Sequence, residues 1–311
     1  MAGAEAGTKA TIAALFANAG IAIAKFVAFV FTGSASMLAE GIHSVADTSN
    51  QALLLLGIRR AKRPATAIHP FGYGRERYFW SFIVAMVLFT LGGLFSMFEG
   101  YEKLRHPHEI ESVGWAIGVL SMAIVLETLS FRTAIKEANH VRGDASWWSF
   151  IRHSRSPELP VVLLEDLGAL LGLVFALGGV TLAAVTHEPR FDALGSLVIG
   201  ILLCVIAYIL AAELRSLLIG ESASTKDLEA IDRALRDPNV EDVVHVRTQH
   251  IGPNELLVGA KVRMHRGLDI AQVAETINRI EGRVRKDVRA TSRIYIEPDI
   301  QTTTASGDTT S

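Results

Sequence analysis

Long apolar stretches alternate with short polar ones along the first two-thirds of the chain. A helix needs about 20 mostly apolar residues to cross a bilayer. Six stretches reach that length, and we predict a membrane-spanning helix in each of them: residues 9–31, 36–58, 79–104, 112–134, 160–185 and 192–217. The pattern therefore predicts an all-α, six-helix transmembrane domain over residues 9–222, preceded by a short tail over residues 1–8.

The pattern changes after Ser222, where charged residues become frequent. Two stretches have the periodicity of amphipathic helices and three alternate as strands do, in the order αββαβ. The helices are predicted at residues 225–236 and 268–288, and the strands at 240–248, 255–264 and 292–297. This order predicts a small α+β domain over residues 223–299, with a polar, disordered tail over residues 300–311.

Composition supports a membrane protein and excludes some functions. Of the 311 residues, 50% are hydrophobic, and the mean hydropathy of +0.33 is higher than soluble domains usually reach. A net charge of −2 argues against a nucleic-acid partner, which would need a basic surface. The single cysteine, Cys204, rules out an internal disulfide and a metal cluster held by thiolates.

Basic residues in the loops predict the orientation of the helices. The loop at residues 59–78 carries six Lys and Arg and the loop at residues 135–159 carries four, whereas the loops at residues 105–111 and 186–191 carry one each. Basic loops stay on the cytoplasmic side of a membrane. We therefore expect both termini to be cytoplasmic, in the cell (inner) membrane.

The second predicted helix carries polar residues within its apolar sequence. Glu40, His43, Asp47 and Asn50 follow each other at intervals of three or four residues, so their side chains share one face. Ionisable groups in a bilayer are costly and normally line a functional path. His43 and Asp47, one turn apart, can bind the same divalent metal ion. The alternative is a polar seam between packed helices.

The fifth predicted helix adds a second acidic pair. Glu165 and Asp166 are adjacent, so they point about 100° apart and at most one can aim squarely at helix two. The alternative is an acidic pair at the end of the helix, near the interface. Imidazole and carboxylates suit Zn²⁺, and also Mn²⁺, Fe²⁺ or Co²⁺. Because metal ligands must lose protons to bind, such a site would exchange a metal ion against H⁺. Asn18 in helix one is an auxiliary candidate.

Several strings resemble the cation diffusion facilitator family of metal transporters. They are GSASMLAEGIHSVADTSNQALLLLG, HPFGYGRER, FEGYEKL, and the C-terminal RTQHIGP and IYIEPD. The resemblance covers nearly the whole chain, residues 9–299. The resemblance implies a six-helix transmembrane domain, a cytoplasmic ferredoxin-like domain and a homodimer in the lipid bilayer. It also implies a secondary transporter, not an enzyme, which exports Zn²⁺ or a related cation by proton antiport with alternating access. No permanently bound cofactor is implied.

Carried over residue by residue, the family's transport site is matched incompletely. His43 and Asp47 match the pair from helix two, and Asp166 matches the second ligand from helix five. The position four residues earlier is Val162, which cannot bind a metal. The string LLED, with Glu165, resembles one branch of the family. The fourth ligand therefore stays open between Glu165, Glu40, a water molecule and nothing, with Asn18 and Asn50 as auxiliary residues.

The family's two secondary metal sites are matched only in part. In the loop after helix two His69 is retained, but Thr66 and Tyr73 hold the other positions. In the C-terminal domain His245 and Glu297 are retained, whereas Lys261 and Tyr295 replace histidines. Because a lysine ammonium repels a metal cation, we predict that the C-terminal site is weak or empty. The loop site is predicted to hold no stable metal.

Two other functions compete with transport. A membrane-embedded enzyme could use His43 and Asp47 as base and acid, but the sequence has no GxSxG, HExxH or nucleotide-binding loop. A non-transporting membrane scaffold or sensor could bind a partner through its C-terminal domain. The valine at position 162 is the best support for the scaffold.

Overall fold

The computed structural model describes residues 2–32, 35–107, 113–288 and 290–300. Within these ranges it does not describe the side chains of residues 2–7, 9, 25, 28, 29, 31, 32, 35–43, 46 and 291. The polypeptide divides after Leu218 into two compact units. Each unit has its own hydrophobic core.

The elements that the structure describes in the N-terminal unit are all helices. In chain order its elements are α1 (Ala2–Thr32), α2 (Ala35–Ala61), α3 (Glu76–Val87), a π-helical segment (Leu88–Leu94), α4 (Phe95–Arg105), α5 (Val113–Arg142), α6 (Trp147–His153), α7 (Glu158–Thr186) and α8 (Arg190–Ile219). Because α3, the π-helical segment and α4 are continuous, they act as one long helix.

Four of these helices are long and apolar enough to cross a membrane, counted over the described residues: Glu76–Arg105, Val113–Arg142, Glu158–Thr186 and Arg190–Ile219. They correspond to the last four of the six predicted spans. The first two predicted spans fall on α1 and α2, which are helices of 31 and 27 residues. That α1 and α2 also cross the membrane remains a prediction.

Large apolar side chains on the outer surface indicate a lipid environment for this unit. Phe16, Val185 and Tyr208 are 72%, 74% and 74% exposed, and they lie on three different helices. In water such an apolar surface would be unfavourable, whereas lipid tails solvate it. Inside, α1 packs against α2, α5 and α7, while α7 also packs along α5. This arrangement brings α2, α5 and α7 together around the polar residues of interest.

The C-terminal unit has the predicted order αββαβ. Its elements are α9 (Thr225–Leu235), β1 (Val240–Gly252), β2 (Glu255–Met264), α10 (Ile270–Asp287) and β3 (Thr291–Asp299). β1 and β2 form the antiparallel hairpin expected from Gly252-Pro253-Asn254, and β3 pairs parallel to β2. β1 is four residues longer than predicted, because its pairing with β2 continues to Gly252. Helices α9 and α10 cover the buried face of the sheet around Ile231, Leu256 and Ile280.

A buried carboxylate ties α10 to the turn between α9 and β1. Arg279 donates two hydrogen bonds to Asp237, at 2.9 and 2.8 Å, and Arg283 donates one at 2.7 Å. The hydrogen bonds from Arg279, above all, lower the pKa of Asp237 from 3.8 to about 2. The charged form of Asp237 therefore stabilises the folded domain.

Acidification should destabilise this domain through Asp237. The pKa of Asp237 is lower in the folded state than in the unfolded state. Its contribution to the free energy of unfolding is therefore fully present above about pH 4 and is lost as the pH falls towards 2. The loss should reach about 2 kcal/mol, measured as faster hydrogen exchange of α10 and β1 amides in the full-length protein after correction for intrinsic rates. Asp237→Asn should remove most of this pH dependence. The control Asp232→Asn removes the exposed ion pair between Asp232 and Arg236 and should change stability by less than about 0.5 kcal/mol.

Candidate metal site

The acidic pair of α7 lies in the interior of the helical unit. Glu165 and Asp166 are 6% and 1% exposed. They lie two turns after the start of α7 at Glu158, and every residue from Glu158 to Asp166 is buried. The two carboxyl groups are therefore surrounded by protein and are not placed on an exposed helix end.

Each carboxyl group of the pair contacts a different helix. Glu165 accepts hydrogen bonds from two amides of α2, Asn50 Nδ2 at 3.0 Å and Gln51 Nε2 at 2.7 Å. Asp166 accepts a hydrogen bond from Ser130 Oγ on α5 at 2.8 Å. The residue that faces α2 is thus Glu165, while Asp166 lies on the flank towards α5. This is the divergence of adjacent helical side chains that the sequence predicts.

Asp47 of α2 completes a cluster of three carboxyl groups. It is half-buried, and its charge acts on both Glu165 and Asp166. In a medium of low dielectric constant three neighbouring carboxylates repel each other strongly. A bound proton or a cation beside them would reduce this repulsion.

Two amide oxygens beside the cluster also fit a cation. Asn50 Oδ1 and Gln51 Oε1 are buried, and neither has a hydrogen-bond partner among the described residues. Buried acceptors are rarely left without a partner, so each such atom requires an explanation. Carbonyl and carboxylate oxygens together are suitable donors for a divalent metal ion. Sequence reasoning missed Gln51, although it lies one turn after Asp47 and beside Asn50.

The structure describes the remaining predicted ligands less completely than Glu165, Asp166 and Asp47. His43 and Glu40 belong to α2, and their side chains lie outside the described ones. Asn18 is buried on α1, and no hydrogen bond joins it to the cluster within the described part of the chain. Val162 is fully buried on α7. Among the described side chains, no three His, Cys, Asp or Glu residues converge closely enough to form a closed metal cage.

The residues of the loop site contact each other. Thr66 Oγ1 lies 3.3 Å from Tyr73 OH. The backbone N–H of His69 donates to Thr66 Oγ1 at 3.1 Å, and the His69 ring packs edge-on against Tyr73. His69 thus packs within the loop, which is the alternative to a role in metal binding.

The residues of the C-terminal site form a row across the sheet. Lys261 lies between His245 on β1 and Glu297 on β3. Its ammonium group donates a hydrogen bond to Glu297 Oε1 at 2.9 Å. The carboxylate that a metal would need is therefore engaged by a lysine, and the weak or empty site stays a prediction.

Comparisons with known proteins extend over most of the chain. Residues 11–219 match the family described as the cation efflux transmembrane domain. The mitochondrial proton-coupled zinc antiporter SLC30A9 of Xenopus laevis is 37% identical over 242 residues, which is 76% of this chain and 43% of that protein. Its human counterpart is 34% identical over 241 residues, which is 76% of this chain and 42% of that protein. Metal tolerance protein C4 of Arabidopsis thaliana is 30% identical over 259 residues, which is 82% of this chain and 56% of that protein. The alignments thus cover about half the length of these relatives.

Proposed function

The chain belongs to the cation efflux family, also called the cation diffusion facilitators, and from this premise we propose that it exchanges Zn²⁺ for protons across a membrane. As a member of that family it is a multi-pass membrane transporter of cations and not an enzyme. The finer statements, which concern the ion, its ligands, the counter-ion and the orientation, make up the proposal.

The observation that carries the proposal is the carboxyl cluster of α2 and α7. The charge of Asp47 acts on Glu165 and Asp166, and two buried amide oxygens beside Glu165 lack hydrogen-bond partners among the described residues. We assign Asp47, Asp166 and Glu165 as ligands of the transported metal together with His43, which is one turn before Asp47 on α2. Asn50 and Gln51 hold Glu165 in place, and Glu40 and Asn18 are auxiliary candidates.

Coupling between metal and protons follows from the chemistry of these ligands. When the site holds no metal, protons offset the charge of the carboxyl groups. A divalent cation can bind only after those protons leave, so metal and H⁺ occupy the site in turn. If the site opens alternately to the two sides of the membrane, a proton gradient can drive metal export.

Zinc is the proposed ion because the SLC30A9 relatives are named as zinc antiporters. An imidazole with carboxylates suits Zn²⁺ well. The many oxygen donors also admit Mn²⁺, Fe²⁺ or Co²⁺. The ion is therefore the part of the proposal that a transport assay must decide first.

The membrane arrangement is proposed from the helices and the basic loops. Six helices cross the bilayer, with α1 and α2 as the first two and the continuous helix Glu76–Arg105 as the third. The basic loops and both termini face the cytoplasm, and the protein acts as a homodimer. We propose the cell membrane as its location, although the SLC30A9 relatives are named as mitochondrial.

The scaffold remains the second candidate because of Val162. This residue is fully buried and apolar, at the position where the resemblance expects a metal ligand. A protein that has lost one ligand could keep the fold while losing transport. The αββαβ domain would then bind a partner protein.

A flux measurement tests the proposal against the scaffold. Purified protein in liposomes with an imposed pH gradient should accumulate Zn²⁺ above its external concentration, which empty liposomes should not do, and this accumulation should be lost when a protonophore removes the gradient. Parallel measurements with Mn²⁺, Fe²⁺ and Co²⁺ rank the ions. Absence of flux for all four metals would favour the scaffold.

A further inference from the structure

A buried ion pair joins the first turns of α3 and α7. The guanidinium of Arg77 donates one hydrogen bond from Nη2 to Glu158 Oε2 at 2.6 Å and a second from Nε to Glu158 Oε1. The side chains of Arg77 and Glu158 are 8% and 1% exposed. This is the planar, two-bond geometry in which arginine holds a carboxylate most specifically.

The pair lies on the face of α7 that carries the candidate metal site. Glu158, Val162 and Glu165 follow each other at helical spacings of four and three, so they share one side of the helix, with Asp166 on its flank. Glu158 precedes Glu165 by two turns, roughly 10 Å along the axis. It lies towards the end of the unit that carries the basic loops, because α3 and α7 both begin there.

The helix between the pair and the site is closed to solvent. All residues from Glu158 to Asp166 are buried, and Tyr78, next to Arg77, is fully buried as well. Along this face of α7 the described side chains from the basic-loop end to Asp166 therefore leave no surface exposed to solvent. An ion that followed this face from that end would pass between the first turns of α3 and α7, which Arg77 and Glu158 hold together.

The pair connects two helices that otherwise share a short contact. α7 packs along α5 and α1, whereas α3 packs mainly against α2 and meets α7 over a few residues. Stability alone does not account for a buried ion pair, because apolar residues of similar volume often serve as well. A charged pair can, however, hold one arrangement of two elements and separate when water enters between them.

We propose that Arg77 and Glu158 form a gate that closes the metal site towards the basic-loop end, and that the pair must separate before a metal ion can reach Glu165 and Asp166 from that side. The proposal rests on the proposed function, since it assigns the gate to that transport site. Arg77 and Glu158 act as positioning residues, because they set the relation of α3 and α7 without touching the ion at its site.

A thiol at position 162 can report whether the gate is open. In a Cys204→Ala background, Val162→Cys introduces one thiol of similar size between Glu158 and Asp166. Sealed vesicles are prepared in which the basic loop with Lys62 faces outwards. Labelling of a separate Lys62→Cys protein from outside verifies this orientation. A membrane-impermeant maleimide is added with a chelator, so that no metal protects the thiol and no transport is required.

Neutralising the pair should open the site to the reagent. Arg77→Gln with Glu158→Gln should raise the labelling rate about tenfold or more, since labelling follows the population of the open state. Exchanging the charges, Arg77→Glu with Glu158→Arg, should restore a rate within about twofold of the parent protein. The matched control, Arg152→Gln with Glu213→Gln, removes an ion pair of 3.0 Å between α6 and α8 and should leave the rate unchanged.

A second reporter separates a gate from general loosening. Leu210 on α8 lies in the hydrophobic core and is 2% exposed. Leu210→Cys should therefore stay unlabelled when the pair is neutralised. Labelling of Val162→Cys at the parent rate in the neutralised protein would overturn the proposal, as would equal labelling of Leu210→Cys. Because labelling needs no flux, a protein with a working gate and no metal transport would contradict the proposed function and not the gate.

Discussion

Replacing Asp166 by asparagine is expected to lower proton-driven metal uptake by about a hundredfold or more, since even the outer partners of metal ligands cost 10–100-fold when changed. Asparagine has nearly the same shape as aspartate. Its amide oxygen can still accept the hydrogen bond that Ser130 donates to Asp166. The substitution therefore removes a negative charge and a site of protonation from the cluster while the packing of α5 against α7 is kept.

The same loss is expected for Asp47→Asn, because Asp47 is the carboxylate of α2 whose charge acts on both residues of the α7 pair. Uptake is measured in liposomes with an imposed pH gradient, at equal amounts of reconstituted protein. Glu213→Gln is the control, since Glu213 pairs with Arg152 on α6 and lies outside the cluster. Its flux should match that of the parent protein. Flux that survives in both Asp47→Asn and Asp166→Asn would show that the ion crosses elsewhere.

The sequence predicted the helices where apolar composition alone decides the structure. The segments 79–104, 160–185 and 192–217 each fall within a long apolar helix, and residues 113–134 of the segment 112–134 do so as well. The second predicted span is less certain from composition because Glu40, His43, Asp47 and Asn50 interrupt its apolar pattern. In the C-terminal unit, alternation and a Gly-Pro-Asn turn were enough to predict the order αββαβ.

The arrangement of the site could not be predicted in the same way. Adjacent residues on a helix point about 100° apart whatever the tertiary structure, so the sequence indicated that at most one of Glu165 and Asp166 aims squarely at α2. It could not say which of them faces α2, because the rotation of α7 is set by its packing against α5 and α1. The same reason hid Gln51, whose amide reaches Glu165 across 114 positions of sequence.

The ion pair of Arg77 and Glu158 lay outside the sequence prediction altogether. Arg77 was counted among the basic residues of a loop, since a positive charge near the end of an apolar segment normally lies in solvent. Its partner is 81 residues away, and only the tertiary structure brings the first turns of α3 and α7 together. Long-range pairs of this kind leave no periodic pattern in the chain.

The second large effect is expected from a substitution of Glu165, and its size would identify the residue that completes the metal site. If Glu165 is a ligand, Glu165→Gln should raise the metal concentration for half-maximal uptake by about ten- to a hundredfold. The amide group of glutamine has the shape of the carboxylate but no charge. Its N–H groups would also donate to Asn50 Oδ1 or Gln51 Oε1, the two buried oxygens that have no hydrogen-bond partner among the described residues. The substitution would thus remove one oxygen donor and engage one of these two.

A purely structural role of Glu165 predicts a different result. Glu165 would then serve only to accept the amide hydrogen bonds of Asn50 and Gln51, and Gln51→Leu, which removes one of those bonds, should disturb uptake as much as Glu165→Gln does. With Glu165 as a ligand, Gln51→Leu should have the smaller effect, because the carboxylate and the bond from Asn50 remain. Calorimetric titration of the purified variants with Zn²⁺ measures the affinities directly. Equal affinities for the parent protein and Glu165→Gln would leave Glu40 or a water molecule as the fourth ligand.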